Sequence, residues 1–212
     1  MSIIIHPVEQ GTEAWYSLRA GLPTASNFSK IVTSKGEESK SRYGYALTLA
    51  GETYAGKPLD SWEGNQWTDR GKELEANAIA RYEFLNDVPV EKVGFVTFSD
   101  MSCGCSPDGF VGKNGMIEVK CLKAENHISA LLYYKKNGTA PTDYIQQTQG
   151  QMWIADREWC DLIFHHPDLP MLVIRQRPII NVIAGLASGI KALLSERDSI
   201  VSTLREDMKV GA

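Results

Sequence analysis

No apolar run in this sequence is long enough to span a bilayer, and the opening MSIIIHPVEQ has neither the basic segment nor the cleavage site of a secretory signal. Those absences point to a cytoplasmic protein without membrane contact. Cysteine is scarce, four in 212 residues, and no CxxC pair occurs, which removes the common zinc modules and disulfide scaffolds. Cys105 and Cys121 stand in apolar strand contexts and read as small packing residues. No repeat, low-complexity tract or linker divides the chain, so residues 1–212 read as one domain with a good-sized core. A basic excess is lacking too, since the formal charge is −4. That would argue against a nucleic-acid partner if phosphate affinity rested on net charge. A site that gathers carboxylates around a bound cation reverses its local sign, so net charge excludes nothing here.

What is present is clear periodicity. Residues 13–19 and 25–32 read as short helices, with Thr24 after Pro23 as N-cap of the second. Residues 42–55 and 65–85 read as longer helices, the latter with Trp67, Gly71, Leu74, Ala78, Tyr82 and Leu85 along one stripe. Strands are expected over 93–98, where the residues alternate, and over 102–105, 110–112 and 116–121. The last two are joined by the hairpin signal Lys113-Asn114-Gly115. Helices over 123–136 and 142–155 follow, then strands over 160–165 and 172–177. A long helix over 179–206 closes the chain, with Gly185 and Gly189 as candidate break points. The polar stretch 34–42 reads as a solvated loop. This order predicts an α/β fold, a mixed central sheet of mostly antiparallel strands flanked by helices.

The chemistry concentrates in CSPDGFVGKNGMIEVKC, residues 105–121. Strand residues two apart share a face, so Glu118 and Lys120 point one way and Ile117, Val119 and Cys121 point into the core. Asp108, at a Pro-Asp-Gly bend, can aim its carboxylate at the same region. Two carboxylates and a backbone carbonyl make a hard oxygen site for Mg²⁺. Such a cation polarises a phosphoryl oxygen and lowers the pKa of a bound water. A neighbouring lysine orients that water and offsets charge building on the phosphate. The set suits phosphodiester hydrolysis. An Asp followed by Glu-x-Lys also arises by chance, and Glu118 with Lys120 would then be an ordinary surface pair. The absence of any other charge on that strand face favours catalysis. Glu75, beside the apolar stripe of its helix, is either a paired core-edge residue or a metal ligand. In YIQQTQGQMWIA, Gln147 and Gln151 share a helix face and can orient water or hold phosphate without adding charge. His165-His166 reads as a turn-edge pair rather than a metal site.

The stretches EQGTEAWYSLRAGLPTAS, RGKELEANA, CSPDG, IEVKC and YIQQTQGQMW, in that order, resemble the phage lambda exonuclease group, the YqaJ-type viral recombinase nucleases of the PD-(D/E)xK fold. The resemblance implies Mg²⁺, with Mn²⁺ as a substitute, held by Asp108, Glu118, the carbonyl of Val119 and Glu75. It implies Lys120 as the catalytic lysine, Gln147 as an active-site glutamine, and Arg19 and Ser26 as a pocket for a terminal 5′-phosphate. The implied activity is 5′→3′ digestion of one strand from a duplex DNA end. It releases mononucleotides and leaves a 3′ single-stranded tail for recombination by strand annealing. A homotrimer and a single-strand annealing protein as partner are implied with it. The chain departs from the family pattern at Arg70, where a tryptophan is usual, and at Thr68, where an apolar residue opens the duplex end. Trp67 is then the candidate for end opening, by stacking on the terminal base. Local sequence leaves a second reading for the pocket, in which Arg19 pairs with Glu13 and Ser26 only starts a helix. The alternatives to the exonuclease are a related endonuclease or single-strand nuclease, and a non-catalytic DNA-binding recombination accessory.

Overall fold

Branched and aromatic runs bounded by glycine form the strands, and alanine-rich charged runs form the helices. The computed structural model describes the backbone of residues 2–59 and 66–210 and the side chains of residues 2–59 and 71–206. In chain order the elements are β1 (Ile3–His6), α1 (Glu13–Arg19), a 3-10 helix (Ala25–Lys30), α2 (Arg42–Ala55) and α3 (Gln66–Asn86). The strands β2 (Phe95–Phe98), β3 (Gly104–Cys105), β4 (Gly109–Val111) and β5 (Gly115–Cys121) follow. Then come α4 (Ala124–Asn137), a 3-10 turn (Thr142–Tyr144), α5 (Ile145–Ile154), β6 (Trp159–His165), β7 (Leu172–Gln176) and α6 (Ile180–Val210). Among the described residues no helix is long and apolar enough to cross a membrane.

The strands join in the orders β1-β2-β3 and β4-β5-β6-β7. Every pair is antiparallel except β5 with β6, which run parallel. Parallel neighbours need a long crossover, and α4 and α5 supply it. The result is the mixed α/β sheet flanked by helices that the pattern predicts. Helix α3 covers Ile117, Val119 and Ile163 with Ala78 and Tyr82. Helix α4 covers Leu162 and Phe164 through Ala130. The largest cluster joins Phe28, Ile31, Leu49, Val96, Met152 and Leu186, tying α2, α5 and α6 to β2. Helix α5 lies so close to the 3-10 helix that a Cβ on Gly150 would collide with the Phe28 ring.

Several local expectations are corrected. Strand β1 goes unannounced because three consecutive isoleucines carry no alternation, and β2 is buried at all four positions rather than alternating. Residues 25–30 wind as a 3-10 helix, and Thr24 makes no side-chain cap bond to it. Its hydroxyl oxygen instead accepts from Arg19 and Asn27, each at 3.4 Å. Leu85 lies on the apolar stripe yet is exposed. Helix α6 runs unbroken through Gly185, which is glycine because a Cβ there would strike the Gly36 backbone. The polar loop 34–42 is docked rather than free. Asn181 donates to the Lys35 carbonyl (2.9 Å), and Arg42 bridges Glu38 and Glu196 (2.8 Å each).

One polar network is sealed beneath α3. Asp161 on β6 is 3% exposed and accepts from the Tyr82 hydroxyl (2.7 Å) and from Arg175 Nε and Nη2 (2.8 and 2.7 Å). Burial and the adjacent carboxylate push the Tyr82 hydroxyl well above its ordinary pKa, so it stays a donor. We expect Asp161→Ala, which strands that hydroxyl, to cost roughly 1.5–3 kcal/mol in urea unfolding. An unchanged midpoint would show that the network contributes nothing.

Candidate active site

The hairpin register sets Gly109 opposite Ile117, so Asp108 at its open end faces the backbone of Val119. Asp108 Oδ2 accepts the Val119 N–H at 2.6 Å. The next residues on either side of Val119, Glu118 and Lys120, project toward α5. Glu118 is only 4% exposed, a position that a carboxylate tolerates only with strong donors. It has three. Lys120 Nζ (2.7 Å) and Gln147 Nε2 (2.6 Å) donate to Oε1, and Gln151 Nε2 (2.7 Å) donates to Oε2. Lys120 also donates to Gln147 Oε1 at 2.9 Å and lies 5.6 Å from the centre of the Tyr144 ring. The paired glutamines of α5 thus sit on one carboxylate, as their four-residue spacing allows.

Glu75, from α3, approaches the same region across the opposite face of β5 and is partly buried. Burial raises the Asp108 pKa well above the carboxylate range. The charges of Glu118 and Glu75 add to this, against the Val119 N–H and Lys120. Glu75 is raised likewise, by burial and then Glu118, with Lys92, Lys120 and Lys72 opposing. Burial lowers the Lys120 pKa, but the charge and hydrogen bond of Glu118 outweigh it and the net shift is upward. Three acids are therefore held together against their own repulsion. Among the described residues no three His, Cys, Asp or Glu side chains close on a single point as a metal cage. The donor set still fits a small hard cation, because Mg²⁺ takes few protein oxygens and keeps waters in its remaining positions.

Beside the acids is a cavity of about 170 Å³ whose wall includes Arg19, Ser26, Ser106, Asp108, Glu118 and Gln151. Arg19 ends α1 and stacks on Trp15 one turn earlier, its guanidinium carbon 3.8 Å from the ring centre. The ion pairs among the described residues use Arg42, Lys120, Arg175 and Arg197, so Arg19 has no carboxylate partner, Glu13 included. Burial lowers its pKa. Ser26 is exposed at the cavity mouth. The structure thus brings Arg19, Ser26, Asp108, Glu118 and Gln147 to one cavity, with Lys120 hydrogen-bonded at its edge. The Trp67 side chain lies outside the described residues. His165 is the last residue of β6, buried beside Cys121, and His166 opens the turn that follows, its Nδ1 accepting from the Asp168 N–H (3.2 Å).

Sequence reasoning missed Ser106, Trp15 and Gln10. Trp15 Nε1 donates to Ser106 Oγ (2.9 Å) and Gln10 Nε2 to the Pro107 carbonyl (3.3 Å), holding the loop that carries Asp108. The available signals were Trp15 one helical turn before Arg19 and Ser106 two residues before Asp108. Gln151 was recognised only as the neighbour of Gln147. The remaining glutamines of α5 bind backbone groups. Gln149 donates to the Arg177 carbonyl and accepts from Ile179 N–H, and Gln146 donates to the Val32 carbonyl.

Fold and acid–lysine arrangement are those of the PD-(D/E)xK nucleases, a class that cuts DNA with divalent cations. Within it, the chain belongs to the YqaJ-like viral recombinase family, whose domain matches residues 14–158. That span contains every candidate residue from Arg19 to Gln147. The structure is similar to an alkaline exonuclease (LHK-Exo) from Laribacter hongkongensis, at 31% identity and a TM-score of 0.81, covering 95% of this chain and 100% of that one. The same exonuclease in complex with dAMP aligns at 30% identity, a TM-score of 0.81 and the same coverage, 95% and 100%. A phage-related exonuclease from Haemophilus somnus 129PT shares the fold at 18% identity and a TM-score of 0.65, over 86% of this chain and 96% of that one. No curated protein sequence matches the chain.

The crowding of acids has a cost to the metal-free fold. A carboxyl whose folded pKa is raised destabilises the protein above that pKa, and the penalty vanishes as pH falls and the group protonates. We expect Asp108→Asn, which keeps an acceptor for the Val119 N–H, to stabilise the metal-free protein by about 0.5–2 kcal/mol at neutral pH. The gain should disappear in acid. Denaturant unfolding in chelator at two pH values checks this, and a destabilised variant at neutral pH would contradict it.

Proposed function

We infer that this nuclease is an exonuclease that digests one strand of duplex DNA from its 5′ end, releasing mononucleotides and leaving 3′ single-stranded tails for strand annealing. The observation that carries the reading is the Arg19 guanidinium, without an acidic partner, in the same small cavity as Asp108 and Glu118. An unmatched guanidinium and two hydroxyls, Ser26 and Ser106, form a receptor for a phosphate dianion. A terminal phosphate held there leaves the next phosphodiester facing the acids, which gives the enzyme both its need for an end and its polarity. The exonuclease activity named for the Laribacter relative, and its complex with dAMP, a nucleoside monophosphate, favour the same reading.

In this reading Asp108, Glu118, the Val119 carbonyl and Glu75 hold Mg²⁺, with Mn²⁺ able to replace it. When bound, the cation supplies Lewis acidity toward a phosphoryl oxygen and a more acidic water. Lys120 and Gln147 each donate to Glu118, which fixes both beside the acids, and in this reading their remaining N–H groups orient the attacking water and offset charge on the phosphoryl oxygens. Gln151 keeps Glu118 oriented by a bond to its second oxygen. Residues 1–212 act as one nuclease domain, and family resemblance extends the proposal to a homotrimer working with a single-strand annealing protein.

Linear duplex labelled at one 5′ end, incubated with Mg²⁺, should yield labelled mononucleotide, while closed circular duplex stays intact. Cleavage of the circle would make the enzyme an endonuclease instead. Glu118→Ala should lower the rate by ~10²–10³ or more. The wild-type protein should prefer 5′-phosphorylated over 5′-hydroxyl ends, and Arg19→Ala should remove roughly 1.5–3 kcal/mol of that preference. A variant that keeps it in full would move the phosphate pocket elsewhere.

A further inference from the structure

Next to the Arg19 cavity, a second and larger concavity opens between α3 and the segment following β1. Its volume is about 670 Å³. Cavity and groove are adjacent, since Gln10, Trp15 and Asp108 line both. Glu75 and Asp108 mark its inner end, Val8, Ile79 and Val93 are among the apolar residues of its walls, and two lysines, Lys72 and Lys92, stand along it.

These lysines have no structural employment. Both are exposed, and neither takes part in an ion pair among the described residues. Lys72 Nζ lies beside the turn at Gly11, 3.5 Å from where a Cβ would be, and it is the φ of +82° that calls for glycine there. Both lysines line the same groove as Glu75 and Asp108, which places their charge near the acids. Apolar walls with unmatched ammonium groups suit a nucleic-acid strand, whose sugars and bases meet the walls while its phosphates meet the lysines.

We propose that Lys72 and Lys92 bind phosphates of the digested strand on the 3′ side of the scissile bond, making the groove the track that feeds the strand to the acids. The direction rests on the exonuclease reading above. With the terminal phosphate in the Arg19 cavity and the scissile phosphate at the acids, the continuing strand needs a path that starts at the acids. The groove offers one, because Asp108 and Glu75 are in its wall and Asp108 is shared with the cavity.

The test uses 5′-phosphorylated duplexes with one neutral methylphosphonate at the second or third linkage of the digested strand, read as single-turnover release of the first nucleotide. The full-length protein should be slowed several-fold by the neutral linkage. The double variant Lys72→Gln/Lys92→Gln should be slowed similarly on unmodified DNA and should lose little more on the modified DNA. Arginine at both positions should restore most of the rate. In chelator, the salt dependence of duplex binding should flatten by about one unit of slope for each lysine removed. The proposal is overturned if the two losses multiply, or if coupling appears only with methylphosphonate in the complementary strand. If the unaltered protein releases no nucleotide from unmodified ends, the exonuclease reading fails and this one falls with it, an outcome distinct from either of the others.

Discussion

A carboxylate almost sealed from water, Glu118 on the central parallel pair of strands, sets the terms for the rest of the site. An ionised group in that position needs donors on both oxygens, and no neighbour on its own strand can supply more than one. Lys120, two residues on and on the same face, is that one. The other two are Gln147 and Gln151, so α5 must lie directly over β5. Its seat there depends on Gly150 meeting Phe28 without a side chain, and on Gln146 and Gln149 tying the helix to the Val32 carbonyl and to the residues after β7. Two glutamines of the helix thus serve the buried acid, and two hold the helix in place over it.

The charge layout explains how a chain of net charge −4 can handle a polyanion. Acids are concentrated at one point, where a cation can reverse their sign. Free cationic groups flank that point, Arg19 in the small cavity and Lys72 with Lys92 in the larger groove. Three other arginines are matched, Arg42 with Glu38 and Glu196, Arg175 with Asp161 and Arg197 with Asp198. What matters to a phosphate is the distribution of unmatched charge, and a sum over the sequence conceals it. The same layout carries a stability cost, because the acids repel one another until something positive joins them.

Most helices were legible because their apolar spacing persists over several turns, and the strands around residues 95–121 and 159–176 because short apolar runs there are bounded by turn residues. The exceptions have physical reasons. Strand β1 gains its identity by pairing with β2, a partner some ninety residues away, since Ile3 lies opposite Phe98. The segment 25–30 is drawn into a 3-10 helix under α5, and Thr24 is turned toward Arg19 and Asn27 instead of capping it. Local propensity yielded to packing in each case.

By itself the sequence determined the chemical inventory and its local geometry. Alternation on β5 places Glu118 and Lys120 on one face, a Pro-Asp-Gly bend offers Asp108, and a four-residue interval pairs Gln147 with Gln151. These are short-range consequences of strand and helix periods, and they hold in any fold. Only the tertiary structure decided what those groups face. It buried Glu118, which a polar strand face does not announce. It brought Glu75 from α3 near Asp108 and left Arg19 stacked on Trp15 instead of paired with Glu13. It also opened a groove beside Lys72 and Lys92 that no local pattern marks. The reason is that burial and unmatched charge belong to the space between elements, and that space exists only once helices and strands distant in sequence have packed.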